Sequence, residues 1–194
     1  EKVLTDLGKK VIQLPEGLKF SGQGDALACG DLLFCGKNYR SDEEAQEFAA
    51  KTLGYNRIQL ETVPLCDNDG KKITNKYSGW PDSYFYDLDL ALAIIKPKIS
   101  NDKGLIAYCK EAFTAKSQQT LESLDIDKIL VSYEEAVNGF ASNLVSTGET
   151  VIMSAHAPQL ATDLQKRGLK ILTPEISELL KGGGYIRCVT LTLD

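Results

Sequence analysis

The sequence predicts an α/β fold built from repeated strand-strand-helix-strand units. The order of elements recurs three times, starting at DALACGDLLFCG, at LDLALAIIKP and at ASNLVSTGETVIMS. With 194 residues and 43% hydrophobic composition, the chain can bury one sizeable core and is too short for two ordinary domains, so residues 1–194 read as one domain. The copies are unequally spaced, and the cause is visible. PLCDNDGKKITNKYSGWPD is polar, rich in turn residues and carries the single tryptophan, Trp80, so it reads as an inserted loop.

EKVLTDLGKK opens as a helix with Val3, Leu4 and Leu7 on one face, Gly8 stops it, and VIQL follows as a strand. DALACGDLLFCG reads as two strands around a Gly30-Asp31 turn. SDEEAQEFAAKTLG is a helix with Ser41 as N-cap, Glu44 completing a capping box and Gly54 at its end. RIQLETV returns as a strand. In the second unit, LDLALAIIKP and GLIAYC are strands, EAFTAKSQQTLESL a helix and KILVSY a strand. The third comprises ASNLVSTGETVIMS, the helix APQLATDLQKRG and the strand LKILTP. The chain closes with a glycine run, Gly182 to Gly184, then Arg187, Cys188 and an alternating VTLTL that reads as a further strand. Glycine is costly inside a strand, so the run marks a close backbone approach.

The 22 basic and 27 acidic side chains give a net charge of -5 without blocks, which argues against nucleic acid as a partner. No apolar run approaches the ~18 residues of a membrane span, and the first residues lack the apolar stretch of a secretion signal. Cys29, Cys35, Cys66, Cys109 and Cys188 form no CxxC pair and, being odd in number, cannot all be bridged. An intracellular location, cytoplasmic or mitochondrial, fits these features.

Three stretches together resemble one family, the guanidino-group-modifying enzymes of the pentein fold: dimethylarginine dimethylaminohydrolases, deiminases and amidinotransferases. FSGQGDAL (Phe20 to Leu27) resembles that family's F-E-G-x-G-D-A-L, YFYDLDLALAII (Tyr84 to Ile95) its F-Y-H-L-D-T-A-L, and SELLKGGGYIRCVTL its closing S-E-x-x-K-x-G-G-x-x-x-C-x-T-L. The resemblance implies a five-bladed α/β propeller around a central channel. Three full units with a partial one at each end fill only part of such a ring, so the expectation is a domain lacking its first blade or blades.

By this resemblance Cys188 stands at the nucleophile position, where attack on a guanidinium carbon gives a covalent intermediate. A thiol of ordinary pKa, ~8.5, is mostly neutral at pH 7, and the chemistry needs thiolate. On its own, Cys188 would read as a small buried residue of a closing strand. Asp25 and Asp89 match family aspartates that grip the substrate guanidinium, whose planar N–H donors suit carboxylates. Asp25 alone would read as a turn-capping acid; Asp89 lies in an otherwise apolar stretch and needs a partner.

The chain departs from the family pattern twice: Asp87 stands where the family has its acid/base histidine, and Ser21 where it has the glutamate. The negative charge of an aspartate disfavours a neighbouring thiolate, and an ordinary carboxyl is a poor acid at neutrality. General acid/base catalysis contributes ~10²- to 10⁴-fold, so most turnover should go with the lost pair. His156, the sole histidine, reads as part of a helix start. Asp25, Asp87, Asp89 and Cys188 as a metal site would mix three hard ligands with one soft one and select no common ion. No metal and no cofactor is expected. Arg187 is expected to face away from Cys188's side of the strand, and Asn143 and Glu178 to be structural, Glu178 serving N–H groups of the glycine run.

Two readings of function follow. The first is a relative of dimethylarginine dimethylaminohydrolase that has lost efficient catalysis and serves as an accessory or structural subunit of a larger assembly, still able to bind a guanidino small molecule. The rival is a working hydrolase or amidinotransferase acting through a covalent Cys188 intermediate with Asp87 as base.

Overall fold

The computed structural model describes residues 2–192, and within them the repeated unit forms three separate three-stranded sheets. A short helix, α1 (Lys2–Asp6), comes first. In the first blade β1 (Ala26–Cys29) pairs antiparallel with β2 (Leu32–Gly36). Helix α2 (Glu43–Leu53) then carries the chain back so that β3 (Asn56–Leu60) lies parallel to β2. A parallel pair needs such a crossover, whereas the antiparallel pair needs only the Gly30-Asp31 turn. Gly54, at φ 78°, takes the left-handed conformation that ends α2, and its N–H reaches back to Ala50 and Lys51.

The second blade repeats the scheme with β4 (Leu92–Lys96) antiparallel to β5 (Leu105–Tyr108), α3 (Ala115–Ser123), and β6 (Asp127–Leu130) parallel to β5. Helix α4 (Tyr133–Gly139) leads to the third, where β7 (Val145–Ser146) and β8 (Thr150–Ile152) pair antiparallel. Helix α5 (Pro158–Lys166) then sets β9 (Lys170–Leu172) parallel to β8. A last short helix, α6 (Ser177–Leu180), precedes the glycine run. β4 touches both β1 and β7, so the first strands of the three blades lie side by side. One continuous core, including Phe34, Phe85, Leu92, Ile106, Val151 and Leu160, runs through all three blades. Burying each such side chain stabilises the fold by about 1.5–3 kcal/mol.

Several local expectations are corrected. VIQL (11–14) is not a strand: its backbone has no hydrogen-bond partner among the described residues, and Val11 and Ile12 are exposed. Ser41 is not the N-cap of α2. Asp42 takes that position and accepts from the Lys19 N–H at 2.6 Å, while the buried Ser41 hydroxyl accepts from the Ser21 N–H. The shift also removes Glu44 from the capping-box position. VTLTL begins as a 3₁₀ turn over Arg187–Val189, and Thr192 pairs with the Gln23 side chain, which donates to its carbonyl and accepts from its N–H. A side-chain amide supplies the pairing that a neighbouring strand would give; Leu193 and Asp194 lie outside the described residues. The segment 64–82 is the expected loop, held by isolated bridges, Cys66 to Lys72 and Thr74 to Pro81, and by the Leu65 N–H donating to the Asp82 carbonyl.

Candidate functional site

The candidate site is assembled from the same place in each blade, the tight segment leading into the first strand. In blade one this is the Gly22–Gly24 turn followed by Asp25; in blade two the Leu88–Leu90 turn, which contains Asp89 and follows Asp87; in blade three the bend carrying Asn143. The first strands are neighbours, so their leading ends converge. A polar residue placed there in each unit joins a cluster that no single unit contains.

Asp25 and Asp89 are each 2% exposed. Asp25 accepts from Gln46 Nε2 at 3.4 Å, and burial, aided by the charge of Asp87, pushes its carboxyl up to about 7 against the hydrogen bond from Ser41. Burial, then the charge of Asp87, also lifts Asp89 to about 7, opposed by the positive charge of Arg187 and by the Asn143 side chain. One oxygen of Asp89, Oδ1, is buried with no hydrogen-bond partner among the described residues. Asp87 accepts from the Ser21 hydroxyl at 3.0 Å and lies 3.9 Å from Arg40 Nη2. Its carboxyl is raised by burial, with Arg40 and Ser21 acting in the opposite direction. Burial, then the charge of Asp87, raises the Tyr86 hydroxyl beside them, with Arg40 acting in the opposite direction.

Cys188 reaches this cluster because Tyr185 and Ile186, both buried, anchor the chain just before it, the Tyr185 ring lying 5.4 Å from that of Phe140. The fully buried Asn143 then fixes the turn: its Oδ1 accepts the Arg187 N–H at 2.9 Å and its Nδ2 donates to Cys188 Sγ at 3.3 Å. Asn143 thus touches the thiol and neighbours Asp89. Its predicted structural role becomes a direct contact with the candidate nucleophile. The glycine run lies close to the thiol's own turn, where a side chain at Gly184 would make ordinary contact with the Cβ of Cys188.

Cys188 is exposed, unlike the small buried residue it would be read as on its own. Two expectations fail here. Arg187 does not face away: in a 3₁₀ turn strand alternation no longer applies, and Arg187 shares with Asp89 the lining of a cleft of about 570 Å³ that also includes Gln23, Leu33, Leu92 and Leu144. Glu178 leaves the glycine run alone and pairs with Lys181 at 2.7 Å on the surface. His156 is exposed just before α5, as expected for a helix start.

Among the five free thiols, Cys66 and Cys188 are exposed and Cys29, Cys35 and Cys109 buried. Native protein treated with a thiol reagent should therefore label at two sites, and Cys188→Ser at one. Prompt labelling of a third thiol without denaturant would contradict this arrangement.

No protein-family model matches the chain. The N(G),N(G)-dimethylarginine dimethylaminohydrolase of Mycobacterium tuberculosis is 34% identical over 172 residues, 89% of this chain and 49% of that protein. The bifunctional arginine dihydrolase/ornithine cyclodeaminase ArgZ of Synechocystis is 29% identical over 188 residues, 95% of this chain and 23% of its own length. The N-terminal domain of ArgZ, in a crystal structure with a covalently attached reaction intermediate, superimposes with a TM-score of 0.77 at 28% identity, covering 98% of this chain and 62% of that one. The chain belongs to the pentein-fold guanidino-group-modifying family. A more distant pentein, the amidinotransferase SxtG of Microseira wollei, shares the fold at a TM-score of 0.62 and 15% identity. The chain spans about half the length of the first curated relative and about a quarter of the second.

Within this pentein chain the five residues singled out by sequence, Ser21, Asp25, Asp87, Asp89 and Cys188, gather at the leading ends of the inner strands and around the closing turn. Two contributors carried no sequence signal as site residues. Arg40 sits in the polar stretch NYRSD, where an arginine ordinarily reads as solvated, and Tyr86 is one aromatic among several.

Proposed function

We propose that this pentein domain binds a guanidino cation beside Cys188 and has lost most or all turnover, acting as an accessory or structural subunit of a larger assembly. The observation that carries the binding reading is Asp89 Oδ1, a buried carboxylate oxygen in a cluster of three acids that has no partner among the described residues. Leaving such an acceptor unsatisfied costs about 1–3 kcal/mol, and a guanidinium N–H is a donor of the right charge and geometry. Dimethylarginine and arginine, named for the relatives, supply the ligand class to try first.

Loss of turnover is supported by what surrounds Cys188. The only imidazole, His156, lies exposed at the start of α5, and the Ser21 hydroxyl is engaged with Asp87. One observation favours the rival reading of an active hydrolase or transferase: burial raises the Asp87 carboxyl, so it holds a proton closer to neutrality than an ordinary aspartate. The deciding experiment is incubation with dimethylarginine, arginine and agmatine at pH 6 to 8, following the ureido product and released amine or ammonia. The expected result is no product above a Cys188→Ala control, with saturable binding of at least one of the three. Cys188-dependent turnover of any of them would replace the binding reading with the enzymatic one.

A further inference from the structure

A chain of hydrogen bonds runs through the interior of the first blade and ends on Asp25. Arg57, on β3, donates from Nη1 to Gln59 Oε1 and to the Glu43 carbonyl in the first turn of α2. Gln59 Nε2 donates to the Cys35 and Gly36 carbonyls, both at 3.2 Å, and to Gln46 Oε1 at 3.1 Å. Gln46, on α2 and fully buried, donates in turn from Nε2 to the Gly36 carbonyl at 2.6 Å and to Asp25 Oδ2 at 3.4 Å. A side-chain amide can ordinarily turn over and exchange its donor and acceptor ends, but here neither can. A guanidinium only donates and a backbone carbonyl only accepts, so Gln59 presents its oxygen to Arg57 and its nitrogen inward. Gln46 then presents its oxygen to Gln59 and its nitrogen to Asp25, and every link of the chain points a donor toward the site.

We propose that Gln46 is a positioning residue for Asp25: held with its donor end inward by Gln59 and the Gly36 carbonyl, it favours the charged form of the acid that takes a cation. A carboxylate accepts an N–H more strongly than a neutral carboxyl does, so the contact promotes ionisation, and at 3.4 Å it has room to tighten as the proton leaves. This deepens the cation-binding reading, on which only its ligand readout rests. The other groups acting on Asp25 are the Ser41 hydroxyl and the Leu88 N–H, which donate to it, the charges of Asp87 and Arg40, and Asp89 in the same cluster; burial keeps the neighbouring Cys35 thiol neutral. With burial lifting Asp25 to about 7, one donor decides how much of it is charged at neutrality. Removing the Gln46 amide falls on Asp25, because the Gly36 carbonyl and the Gln59 amide keep each other as partners.

The test follows the Asp25 carboxyl through a pH titration by carbon NMR in the whole chain, with Asp25→Asn to assign the signal, in wild type, Gln46→Met and Arg57→Met. Gln46→Met keeps the length of the side chain without its donor and should raise the Asp25 midpoint by about one pH unit. Arg57→Met cuts the chain at its far end, where the Cys35 and Gly36 carbonyls still orient Gln59, and should leave the midpoint in place. Methylguanidinium, titrated calorimetrically in parallel, should bind Gln46→Met about fivefold more weakly than wild type at pH 7 and almost equally at pH 9, since the acid is then charged in both. Gln46→Glu, which exchanges donor for acid at the same place, serves if the methionine variant folds poorly and should give a coupled pair whose upper step lies above the wild-type midpoint. An unmoved midpoint in the Gln46 variants would overturn the proposal. So would a shift in Arg57→Met as large as in Gln46→Met, or a ligand deficit that persists at pH 9, which packing damage would give. If methylguanidinium binds none of the proteins, the proposed ligand class fails and the carboxyl titration alone decides whether Gln46 sets the charge of Asp25.

Discussion

The protein is expected to be markedly more stable near pH 5 than near pH 8. Burial raises Asp25 and Asp89 from 3.8 to about 7 in the folded state, so across that interval the native protein holds protons that the unfolded chain has released. When the native state binds more protons, stability falls as pH rises, by about 1.4 kcal/mol per pH unit for each proton held. The contribution is whole below the unfolded value, declines between it and about 7, and levels off above, so each carboxyl can remove on the order of 4 kcal/mol. This is the reverse of an acid stabilised by a salt bridge, whose contribution is lost on acidification. Denaturant melts at intervals from pH 4.5 to 8.5 would measure the slope. Asp89→Asn, which keeps shape and removes the charge, should flatten it and raise stability at pH 8. A wild-type profile that is flat or rises through this range would refute the assignment of Asp25 and Asp89 as buried, weakly compensated acids.

The same two residues mark how far the sequence could be read. Asp89 is legible because an acid inside LDLALAII violates the apolar pattern around it, and a violation of that kind calls for a partner. The repeated units are legible because strand and helix periodicities are local and each blade's turn residues are in place. Ser41 was not. A serine ahead of SDEEAQEF fits an N-cap, yet in the fold its hydroxyl serves Ser21, twenty residues earlier, and the cap passes to Asp42. VTLTL alternates as a strand does, but a strand exists only where a neighbour offers an edge, and Gln23 meets it with an amide instead. The part played by Arg40 depends on bringing the loop after β2 against Asp87 in the next blade, and nothing within NYRSD announces that meeting.

Gly36→Ala should strongly destabilise the first blade by pressing a methyl group on the acid cluster. Gly36 ends β2, donating its N–H to the Asp25 carbonyl at 2.9 Å and accepting from Gln46 Nε2 at 2.6 Å. A Cβ at this position would overlap Asp25 Oδ1. The acid has little room to retreat: it is buried, and its other oxygen is tied to Gln46, itself fully buried. Either β1 shifts against β2 or the carboxylate leaves its place in the cluster. Overpacking of this kind costs about 1–3 kcal/mol, and with a polar contact broken as well the upper end applies. For a chain of this size that lowers the melting temperature by roughly 6–12 °C. Gly182→Ala, whose added methyl would make only an ordinary contact with Leu179, is the control and should change the melting temperature little. Because the clash is with one carboxyl group, Asp25→Ala should relieve it, so that Gly36→Ala costs much less in the Asp25→Ala background than in wild type. Equal costs in the two backgrounds would show that Gly36 answers to the strand alone, and the contact between β2 and the acid cluster would lose its support.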